Sequence, residues 1–230
     1  MQTFSTTSSQ PLSLSPSVES QTYALFAIAM ALTFVGVLAG FTWAPLLLTS
    51  GVLLVCVILE LAIIFTARFW MDQSPLNYLL FGLFPILSGF TITPYLLAVL
   101  SQYVNGASIL LNAALATTCM GLAAAVFART TRWNLSVFGR ALFFSILGLL
   151  ILGLLQVFVP SLRTGTAELL ISGAGMVVFA LFTAFDLQRI QHLGQRGVSP
   201  FLLAISLYLD IFNLFLYVLR FMTAFSGNRR

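Results

Sequence analysis

The chain alternates long apolar runs with short polar breaks, and the runs are far too long for a water-soluble fold. No charged residue occurs from Ser20 to Leu59, and none from Gln73 to Ala128. A membrane-spanning helix needs about 20 apolar residues, so each of these runs holds close to two spans. The runs are continuously apolar rather than alternating, which predicts helices and not the strands of a membrane barrel. Breakers and charges divide the chain into seven segments, 22–42, 45–67, 77–100, 107–128, 136–159, 167–190 and 200–221. Pro45, the Asp72–Pro75 stretch, Asn105-Gly106, Pro160 and Ser199-Pro200 mark boundaries. Ser199 followed by Pro200 suits a helix N-cap and first helical position. Pro85, Gly89 and Pro94 predict a kinked third helix.

Composition agrees with this pattern. Apolar residues make up 60% of the 230 and charged residues 7%, with a mean hydropathy of +1.04. A soluble domain carries roughly 25% charged residues, so lipid is the solvent for most of this surface. Residues 1–21 are rich in Ser, Thr and Pro and lack a basic residue. That fits a disordered cytoplasmic tail and neither a signal peptide nor a transit peptide. A membrane domain over 22–222 and a short basic tail over 223–230 follow. Cys56 and Cys119 both lie in apolar runs and are expected to be packed thiols.

The net charge of +4 comes entirely from Arg, because the chain has no Lys. The Arg residues are scattered singly, a pattern of membrane topology and not of nucleic-acid binding. Arg68, Arg129, Arg132, Arg140, Arg189 and Arg196 fall around the loops after the second, fourth and sixth segments. The other loops hold only Arg163. Those even loops are therefore expected in the cytoplasm together with the N-terminus. Arg220, Arg229 and Arg230 stand against this. Seven crossings would export them, unless the last segment is re-entrant.

Charge inside hydrocarbon costs about 2.5–3.5 kcal/mol on insertion scales, so each such group needs a reason. Glu60, Asp186 and Asp210 are of this kind. Glu168 stands at the start of the sixth segment, where a carboxylate suits the helix dipole. The sixth and seventh segments are joined by the short GQRGVS loop and run antiparallel. At 1.5 Å per residue, Asp186 and Asp210 lie about 8 and 15 Å from that loop. They can meet if tilt closes an offset of about one turn. Two carboxyls in a low-dielectric site do not readily ionise together, so a meeting pair shares a proton. Its loss leaves two negative charges that repel or jointly attract a cation. Calcium takes 6–8 oxygen ligands, more than the pair supplies. Ser206, Asn213 and Tyr217 share the Asp210 face of the helix as further donors. The alternative is structural packing, with Asp186 paired to Arg189 or Arg68. His192 is expected to be a solvated loop residue.

Two segments, LFTAFDLQRIQH (181–192) and SLYLDIFNLFLYVLR (206–220), closely resemble the C-terminal signature of the Bax inhibitor-1 family. The likeness extends to VILELAIIF and NYLLFGLFPILSGFTITP. The resemblance implies seven transmembrane helices, with the last one central and enclosed by two layers of three. It also implies a pH-sensitive calcium leak closed by two hydrogen-bonded aspartates, which match Asp186 and Asp210, while Glu60 matches a glutamate of the second helix. Bacterial relatives pair the aspartates with a basic residue at the cytoplasmic end of the second helix. Here Arg68 lies about a turn earlier and Asp72 stands near that place. The tail and one-domain layout suit a bacterial inner membrane.

Calcium and protons are then the expected partners besides lipid, with no cofactor and no nucleic acid. A different function class is a non-conducting membrane regulator of a protease or stress-response partner. Enzyme and photoreceptor readings lack their residues. There is no Lys for a retinal Schiff base, no G-x-S-x-G and no H-E-x-x-H motif.

Overall fold

The computed structural model describes residues 17–49, 51–193 and 198–227. Most of the expected tail over 1–21, the loop residues 194–197 with Arg196, and the terminal Arg229 and Arg230 lie outside them. The described residues are helical with short links. The helices are α1 (Val18–Thr42), α2 (Ala44–Thr49), α3 (Val52–Phe65), α4 (Ala67–Trp70), α5 (Leu76–Gln102), α6 (Gly106–Thr130), α7 (Gly139–Phe158), α8 (Gly165–Leu193) and α9 (Pro200–Ser226). Single 3-10 turns, Leu135–Phe138 and Pro160–Arg163, precede α7 and α8.

Among the described residues, six helices are long and apolar enough to cross a membrane, with α3 as a shorter seventh apolar helix. The expected continuous segment over 45–67 is therefore broken. Gly51 separates α2 from α3, and Thr66 forms a turn between α3 and α4. The Thr66 hydroxyl donates to the carbonyl of Ala62 at 2.6 Å, so the break is partly satisfied from within. The first helix starts at Val18, earlier than expected, because the Ser17 hydroxyl accepts from the Ser20 N–H at 3.1 Å and caps it. The last helix runs on to Ser226, through residues expected to form a tail. His192 belongs to the final turn of α8 rather than to a loop, although it is exposed. Of the two thiols, Cys56 is buried but Cys119 is exposed on the outer face of α6, where lipid and not protein packs it.

Helix α9 is the centre of the bundle. Half of its apolar window is buried inside the protein, more than in any other long helix. It packs on α8, α1 and α6, with a smaller contact to α5. The remaining helices form two groups around it: α1 and α3 pack on α5, while α6 and α7 pack on α8. Tyr208, Leu214, Val218 and Leu219 on α9 are fully enclosed. An apolar cleft of about 870 Å³ separates α1 from α6, lined by Phe34, Phe41, Leu111, Leu122 and Phe215.

Glycine sets the closest contact in the bundle, between α1 and α5. A Cβ on Gly36 would overlap the carbonyl of Ile86, and one on Gly89 would overlap the carbonyl of Thr33. In lipid, small residues let helix backbones approach and so gain dispersion contacts that no hydrophobic effect supplies. Pro85 and Pro94 both lie within α5, which remains one helix through them.

The two ends of the bundle differ. Arg129 on α6 pairs with Glu19 on α1 at 3.5 Å, which places the end of α6 beside the start of α1. At the opposite end, the Tyr95 and Thr223 hydroxyls meet at 3.4 Å, and the Ser226 hydroxyl donates to Asn105 at 3.5 Å. The first helix thus begins at one end and α9 finishes at the other, so α9 crosses the bundle and does not turn back. We call these the near and far ends.

Candidate functional site

The antiparallel α8–α9 hairpin closes the offset between the two aspartates. Asp186 on α8 and Asp210 on α9 are 3% and 5% exposed, and their carboxyls face each other. The Ser206 hydroxyl, one turn before Asp210, faces Asp186 as well. The cation beside the pair is Arg189, one turn along α8, whose Nη1 lies 3.8 Å from Oδ1 of Asp186. Each aspartate also holds one buried oxygen, Oδ2, that receives no hydrogen bond from any other group described. A buried acceptor without a donor costs about 1–3 kcal/mol, and more when charged. A proton on one carboxyl would supply the missing donor to the other.

The remaining expected residues separate into distinct places. Arg68 is exposed on α4, forms no ion pair among the described residues, and does not reach the aspartates; Arg189 stands there instead. The cause is local, since the break at Thr66 starts a new short helix. Asp72 is likewise exposed. Glu60 on α3 turns to α5. It accepts from Thr91 Oγ1 at 2.7 Å and from Ser88 Oγ at 3.5 Å. Ser88 also faces the Tyr208 hydroxyl, which in turn shares a 2.8 Å hydrogen bond with Thr33. A polar chain thus runs from Glu60 on α3, past Ser88 on α5 and Tyr208 on α9, to Thr33 on α1. It is separate from the aspartate pair. Asn213 donates back to the carbonyl of Leu209 at 2.7 Å, and the Tyr217 ring stacks on Phe179 with centroids 5.5 Å apart. Neither joins the pair, but both line a far-end cavity of about 930 Å³.

Two features were not anticipated from the residues. Glu168 is more than a helix-dipole partner, because Arg220 on α9 forks onto both its oxygens: Nε donates to Oε1 at 2.7 Å and Nη2 to Oε2 at 3.0 Å. Arg220 is therefore paired inside the bundle and is not part of an exported tail. The register that joins the aspartates brings Arg220 only to within about two turns of Glu168, so the available signal was two opposite charges toward the same end of neighbouring antiparallel helices. The second feature is Gln188, two residues after Asp186. Its Oε1 accepts from the Leu135 N–H at 2.7 Å and its Nε2 donates to the carbonyl of Trp133 at 2.9 Å. It holds the α6–α7 link against the helix that carries Asp186. Gln188→Ala leaves a buried N–H unpaired and is expected to lower stability by about 1–3 kcal/mol, measured by thermal unfolding of the detergent-solubilised protein.

The described residues contain no cluster of three or more His, Cys, Asp or Glu able to hold a metal ion. Two carboxyls and one hydroxyl are well short of the 6–8 oxygens of a full calcium site.

Comparison with known proteins follows the same residues. The family described as "Inhibitor of apoptosis-promoting Bax1" matches residues 16–227. An uncharacterized protein of Campylobacter jejuni is 31% identical over 210 residues, 90% of this chain and 88% of its own length. The inner membrane protein YbhL of Escherichia coli is 30% identical over 197 residues, 80% of this chain and 79% of its own. Protein lifeguard 4 of the mouse is 30% identical over 169 residues, 72% of this chain and 65% of its own. With the match running from the residue before the Ser17 cap to the end of α9, this integral membrane protein belongs to the Bax inhibitor-1 family.

Proposed function

We propose that the protein is a passive calcium leak of the membrane, closed while Asp186 and Asp210 share a proton and opened when that proton leaves. The observation that carries this reading is the buried, face-to-face carboxyl pair with one unpartnered oxygen on each side. With the shared proton the pair links α8 to α9. Without it the two carboxylates repel, and together they form an attractive position for a divalent cation. Arg189 and Ser206 are the other groups that face the pair and support its charged form. The polar stripe continues along α9 through Asn213 and Tyr217 to the far-end cavity, which gives a cation a polar approach. Glu60 and its hydroxyl partners are a second polar lining on the opposite face of α9. In this reading the protein is a conduit and not a catalyst.

Arg129, Arg132, Arg140 and Arg189 gather at the near end, and by the positive-inside rule that end is cytoplasmic. We assign the chain to a bacterial inner membrane, as the name of its Escherichia coli relative suggests. The test is calcium flux in liposomes that contain only the purified protein and a calcium-sensitive dye. The expected result is flux above that of protein-free liposomes, rising from mildly acid to mildly alkaline pH. Absence of flux at every pH would overturn the leak and favour a non-conducting regulator that acts through a partner.

A further inference from the structure

The far-end cavity holds a second set of charges that the aspartate pair does not explain. The Arg220 and Glu168 side chains are 25% and 18% exposed, deep enough to face the cavity and too buried to be a rim pair. Arg220 donates to both Glu168 oxygens and, through Nη2, to Gln156 Oε1 at 2.6 Å. Gln156 completes the ring by donating from Nε2 to Glu168 Oε2 at 2.7 Å and to the carbonyl of Leu162 at 2.9 Å. The guanidinium also lies 5.3 Å from the centre of the Tyr217 ring, within cation–π range. Three helices, α7, α8 and α9, therefore fix one guanidinium at one place. The cavity it occupies extends to Asn213, one helical turn from Asp210.

One cation and one anion make the cluster neutral, and both Glu168 oxygens are already taken by donors. A divalent cation entering from this end meets a positive guanidinium and finds no free carboxylate oxygen. We propose that the Arg220–Glu168–Gln156 cluster is a cation-selecting constriction, in which Arg220 occupies the position a divalent cation would take on Glu168. A cation in the far-end cavity takes a place on Glu168 only by displacing the guanidinium. As a selectivity element this rests on the leak reading; as a masked cation site it stands alone.

The two halves of the pair then have opposite effects, which a structural ion pair would not show. Arg220→Gln bares the Glu168 carboxylate in the cavity. Glu168→Gln leaves the guanidinium unopposed. The binding probe is terbium(III), a calcium mimic whose luminescence is sensitised by nearby tyrosines such as Tyr95 and Tyr217. It is used on the detergent-purified full chain in an Asp210→Asn background, so that the signal reports the far end. Arg220→Gln is expected to tighten binding by about tenfold, since ligand charge tunes such sites, and Glu168→Gln to abolish it. Gln156→Glu keeps an acceptor for Arg220, replaces the Nε2 donor to Glu168 with a second carboxylate that makes the cluster net negative, and is expected to tighten binding too. The double variant Glu168→Gln with Arg220→Gln should bind no terbium. Loss of binding in both single variants, or no gain in either Arg220→Gln or Gln156→Glu, would overturn the proposal. Calcium flux measured on the same variants with Asp210 intact separates the two claims. Opposite shifts in binding with no flux from any variant would sink the leak and leave the masked cation site standing.

Discussion

In calcium-loaded assays with purified protein in liposomes, Asp210→Asn is expected to abolish the pH response and to leave a low flux that is the same at acid and alkaline pH. The carboxamide has the shape of the protonated carboxyl and donates from Nδ2, so it gives the Asp186 carboxylate a hydrogen bond that no change of pH removes. The α8–α9 link is then permanent. The site also keeps one carboxylate instead of two, which weakens its attraction for a divalent cation. At alkaline pH, flux should fall on the order of tenfold, the equivalent of about 1.4 kcal/mol. The fold should survive, because the substitution removes a buried charge and satisfies the lone Oδ2 of its neighbour. A variant whose flux still rises with pH, with an unchanged midpoint, would show that the pair does not gate. Arg68→Gln is the matched control, since Arg68 is exposed and away from the pair. It should conduct as the unmodified protein does.

The second large effect falls on assembly. Gly36→Ala and Gly89→Ala each place a methyl group where the partner helix has a backbone carbonyl, which cannot rotate away as a side chain does. The α1 and α5 axes must separate, and that loosens the layer on which Tyr208, Phe84 and Thr33 pack. Overpacking of this kind costs about 3 kcal/mol, at the upper end because backbone blocks the site. Thermal unfolding in detergent, followed by tryptophan fluorescence, should show a large drop for either variant. Gly148→Ala, where nothing lies within reach of an added Cβ, should change little. Gly36 and Gly89 sit in one interface, so the double variant should lose less than the sum of the two. Equal stability of the Gly36 and Gly148 variants would show that the close approach contributes nothing.

These outcomes also mark what the sequence made legible. The six long helices and their order followed from apolar runs, because in lipid the backbone has few other ways to satisfy its polar groups. Asp186 and Asp210 stood out because a carboxylate in a span has no bland explanation as cheap as burial of a Leu. The break in the second segment did not stand out. Its signal was Thr49-Ser50-Gly51, since Ser-Gly marks turns, but the apolar residues on both sides are numerous enough to read as one span. The Glu168–Arg220 pair was hidden for the opposite reason. Each charge stands near a helix end, where the helix dipole or topology already accounts for it, and 52 residues of chain separate them. The partner of Asp186 was open between Arg68 and Arg189. Arg189 stands one turn from Asp186 on the same helix, and that spacing decided for it.

Helix α3 has a further consequence, for the bilayer itself. Its 14 residues span about 21 Å, whereas a typical hydrocarbon core is about 30 Å thick. The long helices around α9 have 20 to 29 residues and reach or exceed that thickness, so a helix too short for the hydrocarbon is confined to one flank of the molecule. Lipid must thin beside α3 or the neighbouring turns at Gly51 and Thr66 must sit at the headgroups. Each ångström of mismatch costs a fraction of a kcal/mol. Membrane thickness thereby becomes a variable that acts on the helix bearing Glu60, and short acyl chains should relieve a strain that long ones impose.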